Sequence, residues 1–322
     1  MKKAFRILGF SLAALVALLA VVAAVIRFKP LPTYADIPLQ DVEIEATPEL
    51  IAHGQKLVMM NCTGCHYNES EDRLSGRLFP DANSRPLGDI YSANLTQHPE
   101  HGIGQYTTAE LYRLFRTGVK RDGHLALPMM GGTPTTSDED LKAIIAFLQS
   151  DHPLVQADPT DHPDFEPSLL CRMLYTVAFE PQEMPAEPVQ APAESDAIAY
   201  GKYLLEGRYG CYHCHSTNPE ELVLSNPSVS PGYLRGGQVF NLENWHGQSY
   251  VTESPALYGD SRSLRWSEDE FVAAVLYGQR PEGGPYQPPM HPYTMMDSSE
   301  ARAIYQYLQS YTLKQSQVAA RE

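Results

Sequence analysis

The sequence predicts a mainly α-helical protein: an apolar N-terminal helix followed by two repeated helical halves. Three observations carry that expectation. One unbroken apolar run opens the chain, two CxxCH motifs sit at residues 62–66 and 211–215, and a set of helix signals recurs 160 positions apart. At 322 residues, 43% of them hydrophobic, the chain is long enough for two modest cores.

The apolar run covers residues 7–26 (ILGFSLAALVALLAVVAAVI), behind Lys2, Lys3 and Arg6 and ahead of Arg27 and Lys29. A bilayer crossing needs roughly 20 apolar residues, more than the core of a cleaved signal peptide. Residues 1–30 therefore read as an uncleaved membrane anchor. The competing reading is cleavage after Ala24, with Val22 and Ala24 as the small residues at the site. Either way the body is exported.

Cys62-Thr63-Gly64-Cys65-His66 and Cys211-Tyr212-His213-Cys214-His215 each match the attachment signature of a c-type haem. Two thiols three positions apart reach the two vinyl groups on one porphyrin edge, and the adjacent histidine is then held beneath the iron. A lone CxxC could instead be a redox or zinc pair; two such motifs, each followed by His, argue for two covalent haems, one per half. Four of the five cysteines are used in this way, which leaves no disulfide framework. The fifth, Cys171, lies among Leu169, Leu170 and Met173 and reads as a small core residue rather than a third iron ligand.

A helix over about 48–60 leads into the first motif, and one over about 196–205 into the second. Downstream, LYRLFRTG (111–118) matches FVAAVLYG (271–278), and IIAFLQS (144–150) matches IYQYLQS (304–310). Thr107 and Glu110 form a capping-box pattern that recurs as Ser267 and Glu270; Ser137 and Asp140 recur as Asp297 and Glu300. Apolar positions at helical spacing, such as Leu141, Ile144, Ile145 and Leu148, give each helix one buried stripe. The motifs themselves are 149 apart, so the second half carries 11 more residues before its penultimate helix, expected as a loop over about 218–263 that covers a haem edge or meets a partner. The boundaries follow as 46–152 for the first half, 153–195 for a linker and 196–314 for the second half. Pro181, Pro185, Pro188 and Pro192 stiffen the linker's end, and residues 167–179 are expected to form a short helix between the halves.

Each motif histidine supplies one axial ligand, and the repeat selects the other. Of His124, Met129 and Met130 in the first half and Met290, His291, Met295 and Met296 in the second, only Met130 and Met290 correspond at the 160 offset. Both end a Pro-x-Met in a Gly/Pro-rich loop. The expected iron ligands are therefore His66 with Met130 and His215 with Met290. Such ligation raises the potential and leaves no open position for oxygen or peroxide, which points to electron transfer. His53, His98, His101, His152, His162, His213 and His246 have no counterpart and read as ordinary surface or loop residues.

The net charge is −15 although five basic residues sit in or beside the anchor, so the exported part is more acidic than the whole. It disfavours nucleic acid as a partner; it steers a basic protein or serves solubility alone. Haem attachment on the outer side of the cytoplasmic membrane, with the excess of basic residues ahead of the span, puts the body in the periplasm.

Each half resembles a class I cytochrome c domain: N-terminal helix, CxxCH, loop, helix ending in Gly, Pro-x-Met loop and C-terminal helix. More narrowly, Ser92-Ala93-Asn94-Leu95-Thr96, His101-Gly102-Ile103-Gly104, Phe115-Arg116-Thr117-Gly118-Val119 and Asp122-Gly123 resemble the cytochrome subunits of membrane-bound alcohol, aldehyde and gluconate dehydrogenases. The resemblance implies a relay of electrons from a periplasmic dehydrogenase subunit to quinone, a soluble cytochrome or a terminal oxidase, without catalytic residues of its own. The alternatives are a dihaem enzyme, a peroxidase or a thiosulfate-oxidising cytochrome, and a scaffold within a larger respiratory complex.

Overall fold

A computed structural model describes residues 2–243 and 249–319. In chain order its helices are α1 (Lys2–Phe28), α2 (Pro48–Asn61), α3 (Thr63–His66), α4 (Thr108–Thr117), α5 (Asp138–Leu148), α6 (Leu169–Val177), α7 (Ala197–Tyr203), α8 (Cys211–His215), α9 (Glu268–Tyr277) and α10 (Ser298–Ala319). Strands β1 (Val239–Glu243) and β2 (Ser249–Glu253) form an antiparallel pair, with Val239 opposite Glu253 and Glu243 opposite Ser249. The protein is mostly helical, and α1 is long and apolar enough over Phe5–Phe28 to cross a membrane, with none of that stretch buried against protein.

Local chemistry sets the helix ends. Thr107 and Ser267 each accept from the N–H three residues on and receive the returning Glu110 and Glu270 side chains, so both expected capping boxes form. Both helices stop at a glycine in the left-handed region, Gly118 (φ 78) and Gly278 (φ 68), where a Cβ is costly. Ser137 caps α5, but the Asp140 carboxylate turns away from the box and into the other half.

Two apolar cores result. In the first, Leu57 and Val58 of α2 meet Leu111 of α4 and Leu141, Ile145, Phe147 and Leu148 of α5. In the second, Tyr203, Leu204 and Leu205 meet Phe271 of α9 and Ile304, Tyr307 and Leu308 of α10. Each core is built around one close helix crossing. A Cβ added to Gly54 of α2 would stand 1.9 Å from the Ala143 carbonyl oxygen, and one added to Gly201 of α7 would stand 1.9 Å from that of Ala303. Only glycine lets the backbones approach this far.

Between crossing and motif the halves differ. Gly54 precedes Cys62 by eight positions and Gly201 precedes Cys211 by ten; the two additional residues are taken up in a π turn over Leu204–Arg208 that follows α7.

The halves are locked face to face by a buried polar network. Asp140, fully buried, accepts from Arg208 Nε at 2.7 Å and Nη2 at 3.0 Å, from the Tyr203 hydroxyl, and pairs with His53 Nε2 at 2.7 Å. Its repeat counterpart Glu300 accepts from Arg208 Nη1 at 2.7 Å, Lys56 Nζ at 2.6 Å and the Tyr209 hydroxyl at 2.9 Å. Two buried carboxylates thus face two cations, which offsets their desolvation. Thr135 and Thr136 add hydroxyl bonds to the Glu206 and Gly207 carbonyls. His53, read from sequence as an ordinary surface histidine, is part of this lock.

Two further expectations change. The segment over 167–179 is helical, as α6, but packs on the chain leaving α1 and on the 3-10 turn Ala82–Leu87, not between the halves. The region expected as a loop over 218–263 contains the β1–β2 hairpin, which lies on the first half: Asn83 Nδ2 donates to the Val239 carbonyl at 2.9 Å, and the Asn241 N–H to Asp81 at 3.2 Å. His246 lies outside the described residues.

Gly54→Val or Gly201→Val should cost about 3 kcal/mol or more, because the added atoms meet backbone rather than a movable side chain; a denaturant midpoint unchanged from the parent would contradict the crossing. Burial pushes the Asp140 carboxyl up, but the hydrogen bonds from His53 and Arg208 outweigh it and hold it down at about 2. Its contribution, about 2 kcal/mol, is complete above the unfolded value of 3.8 and fades as pH falls from there toward 2. Chemical denaturation across that window should show a loss of stability in the parent that is absent in Asp140→Asn.

Candidate haem-binding sites

Each CxxCH motif begins where a helix from the close crossing ends. The Cys62 N–H closes α2 on the Val58 carbonyl at 2.8 Å, and α3 then carries Cys65 and His66 through one further turn. In the second half Gly210 (φ 60) breaks the π turn, so α8 starts on Cys211 itself.

The two motif histidines are held alike. His66, 5% exposed, donates from Nδ1 to the Ala93 carbonyl at 2.8 Å; His215, 8% exposed, donates from Nδ1 to the Pro255 carbonyl at 2.8 Å. A carbonyl can only accept, so each imidazole keeps its proton on Nδ1 and leaves the Nε2 lone pair available to a metal. Burial pushes both imidazoles below their ordinary value, which favours the neutral, ligating form.

A shared backbone frame surrounds these rings. The Gly76 N–H donates to the His66 carbonyl and the Gly236 N–H to that of His215; Leu95 bonds Leu74 as Leu257 bonds Leu234. The 11 extra residues of the second half therefore lie between His215 and Gly236. Ser92 Oγ donates to the Cys65 carbonyl at 2.5 Å, and Asn94 ties the strut to the Asp158 and Thr160 carbonyls at 3.0 and 3.1 Å. Sequence reading missed Ala93 and Pro255, whose carbonyls orient the two histidines. The available signal was the match of Ser92-Ala93-Asn94-Leu95 with Ser254-Pro255-Ala256-Leu257, at an offset of 162 rather than 160.

On the other side, the loops bearing Met130 and Met290 close by the same two bonds, 160 positions apart. Thr133 N–H donates to the Phe115 carbonyl at 2.6 Å and Tyr293 N–H to that of Val275 at 2.8 Å; Thr136 then bonds Thr133 as Met296 bonds Tyr293. Met130, at the end of a 3-10 turn, is 38% exposed and Met290 is half-buried, whereas Met296 is a core residue at 4%. Tyr293, three residues past Met290, stands beside Cys211 and Cys214: burial, then the two thiols, push its phenol well up. The loop bearing Met290 therefore lies near the second CxxCH motif.

These donor sets fit a covalent haem and do not fit the rival uses of CxxC. All five cysteines are free thiols. Burial pushes Cys62 and Cys211 up to about 12 and Cys214 to about 11, and raises Cys65, the opposite of a reactive redox pair. Among the described residues no three His, Cys, Asp or Glu side chains converge as a metal cage, so neither pair is completed as a zinc site. Cys171 is fully buried in an apolar cluster with Val119, Leu125 and Tyr175, remote in role from either motif.

The profile of the cytochrome c family matches residues 51–151. Residues 51–151 are a cytochrome c domain. The chain is 31% identical over 264 residues to a nicotinate dehydrogenase subunit of Pseudomonas putida, covering 78% of this chain and 20% of that protein. It is 29% identical over 284 residues to the gluconate 2-dehydrogenase cytochrome c subunit of Pantoea cypripedii, covering 84% of this chain and 61% of that one. It is also 29% identical over 243 residues to the cytochrome c subunit of the quinone alcohol dehydrogenase of Gluconobacter oxydans, covering 73% and 48%. The chain thus spans less than two thirds of each of these relatives. The cytochrome c domain implies covalent haem c, and the matched residues include the loop that carries Met130.

The two motifs meet across the interface. Met59 and Met60, just ahead of the cytochrome c domain's CxxCH, pack into the second core, Asn61 Nδ2 donates to the Arg208 carbonyl at 3.1 Å, and the Cys65 thiol is near enough to raise Cys214 further after burial. Arg77 donates to the Gly64 carbonyl and sets its positive charge beside Cys65. Arg77→Gln should lower the midpoint potential of the haem on the cytochrome c domain, while Arg77→Lys retains most of the parent value; spectroelectrochemical titration reads both.

Proposed function

We propose that this protein is a membrane-anchored electron-transfer subunit with two covalent haems, built as tandem class I cytochrome c domains over 46–152 and 196–314. The observation that carries the reading is the paired geometry of His66 on Ala93 and His215 on Pro255, the same nitrogen on the same kind of acceptor at the same 2.8 Å. When bound, the haems would supply one-electron chemistry. Cys62 and Cys65, and Cys211 and Cys214, would attach them, and His66 with Met130 and His215 with Met290 would be the residues that ligate their irons. The buried shells around both histidines exclude water, and the Asp140–Arg208–Glu300 lock keeps the two motifs in register so that the charge passes within one rigid body.

α1 is the anchor, and the rest faces the periplasm, where haem attachment occurs. By analogy with the dehydrogenase subunits it resembles, the donor is a dehydrogenase partner and the acceptor a quinone, soluble cytochrome or oxidase. The acidic surface suits a basic redox partner.

Pyridine haemochrome analysis of the purified chain should return two haems, falling to one in the Cys62→Ser/Cys65→Ser variant; a parent value of one overturns the tandem reading. Met130→Ala and Met290→Ala should each remove part of the long-wavelength methionine–iron band, lower one of two potentials and open one haem to carbon monoxide. Prompt carbon monoxide binding by the unaltered protein, or peroxide turnover, would favour an enzyme instead.

A further inference from the structure

Helix α6 has two apolar faces, and the fold uses one of them. Cys171 and Tyr175, at 0% and 6% exposure, pack with Val119 and Leu125. Leu170, Met173, Leu174 and Val177, spaced i, i+3, i+4, i+7, form a second stripe on which Leu170 is 43%, Met173 39% and Val177 72% exposed. A stripe of this kind marks a surface that something else covers.

Its position says what covers it. Arg172 Nη1 donates to the carbonyl of Lys29 at 3.2 Å, one residue beyond the end of α1. Leu31, Tyr34 and Ile37, the residues that follow, join the cluster built on Cys171 and Tyr175. Phe28, the last residue of α1, is 83% exposed. The end of α1 therefore stands beside α6, and the medium around the one reaches the other. Arg27, Lys29 and Arg172 lie at that level, where lipid phosphates would meet them. The helix is firmly seated: the Ser168 cap accepts from the Cys171 N–H and donates to the Pro86 carbonyl at 2.7 Å.

We propose that α6 is an interfacial helix whose Leu170, Met173, Leu174 and Val177 face lies in the headgroup and upper acyl region of the bilayer, beside the exit of α1. The proposal rests on α1 being a membrane anchor. Lipid contact gives the cytochrome c domain a second attachment and so a defined orientation, which a single tethering helix cannot impose. Leu127 belongs to the same cluster as Cys171 and directly precedes Pro128-Met129-Met130, so this orientation holds the loop bearing Met130 close behind α6, near the membrane surface.

The test uses full-length holoprotein in vesicles of phosphatidylethanolamine and phosphatidylglycerol, with one spin label on Met173→Cys, Val177→Cys, Leu15→Cys or Glu220→Cys in a Cys171→Ser background. Collisions with oxygen should exceed those with a water-soluble nickel chelate several-fold at 15, 173 and 177 and fall below them at 220. Chelate dominance at 173 with oxygen dominance at 15 overturns the interfacial helix and leaves the anchor standing; chelate dominance at both removes the anchor as well. A label at 173 closed to both reagents means that protein, not lipid, covers the stripe, and also overturns the proposal. If the background variant fails to fold, the unaltered chain labelled by an acyl-chain diazirine lipid gives the same reading: adducts on the peptide bearing Met173 support it, and adducts on α1 alone overturn it.

Discussion

Everything about the two sites depends on how closely one helix lies on another in each half. With Gly54 against the Ala143 carbonyl and Gly201 against that of Ala303, the N-terminal helix of each half has no freedom to slide or rotate on the C-terminal one. The first CxxCH begins at the end of that helix, and the second follows it after a single π turn. A crossing held by backbone contact therefore sets the position of both thiols and the histidine to within the play of a close-packed core, which is small. The π turn after α7 shows the constraint at work: two additional residues between crossing and motif are absorbed as a local bulge rather than as a shift of the helix.

The second constraint is electrostatic. Arg208 reaches Asp140 of one half and Glu300 of the other, two residues that occupy the same place in the repeat. A buried charge set of this kind adds little net stability over an apolar interface, but breaking it leaves an uncompensated charge, so it penalises every arrangement of the halves except one. That is the property needed where Cys65 and Cys214 lie close together. Asp140 is drawn into the lock at the expense of the helix cap that its position in α5 offered, and its counterpart Glu300 does both, still receiving the Asp297 N–H at 2.8 Å.

Much of this was legible in the residues. Helix starts followed from Thr107, Ser267 and their returning glutamates, which act within one turn and need no tertiary partner. The equivalence of Met130 and Met290 came from register alone, and the bonds from Thr133 to Phe115 and from Tyr293 to Val275 keep that register in three dimensions. The role of His53 was not legible, because its partner Asp140 is 87 positions away. Nor was the hairpin Val239–Glu253, whose hold on Asp81 and Asn83 spans the two halves, or the true seat of α6, whose apolar residues suit a core, an interface and a bilayer equally well.

The sequence by itself determined the haem-attachment pattern, the helical repeat and a helix long and apolar enough to cross a membrane, since each is written in spacing: three positions for thiols on one porphyrin edge, a helical period for buried stripes, about 20 apolar residues for a bilayer. Tertiary structure alone decided which carbonyls orient the histidines, which acids clamp the halves and where the exposed face of α6 lies. Those outcomes depend on contacts between residues tens to hundreds of positions apart, and only the packed chain brings them within hydrogen-bond reach.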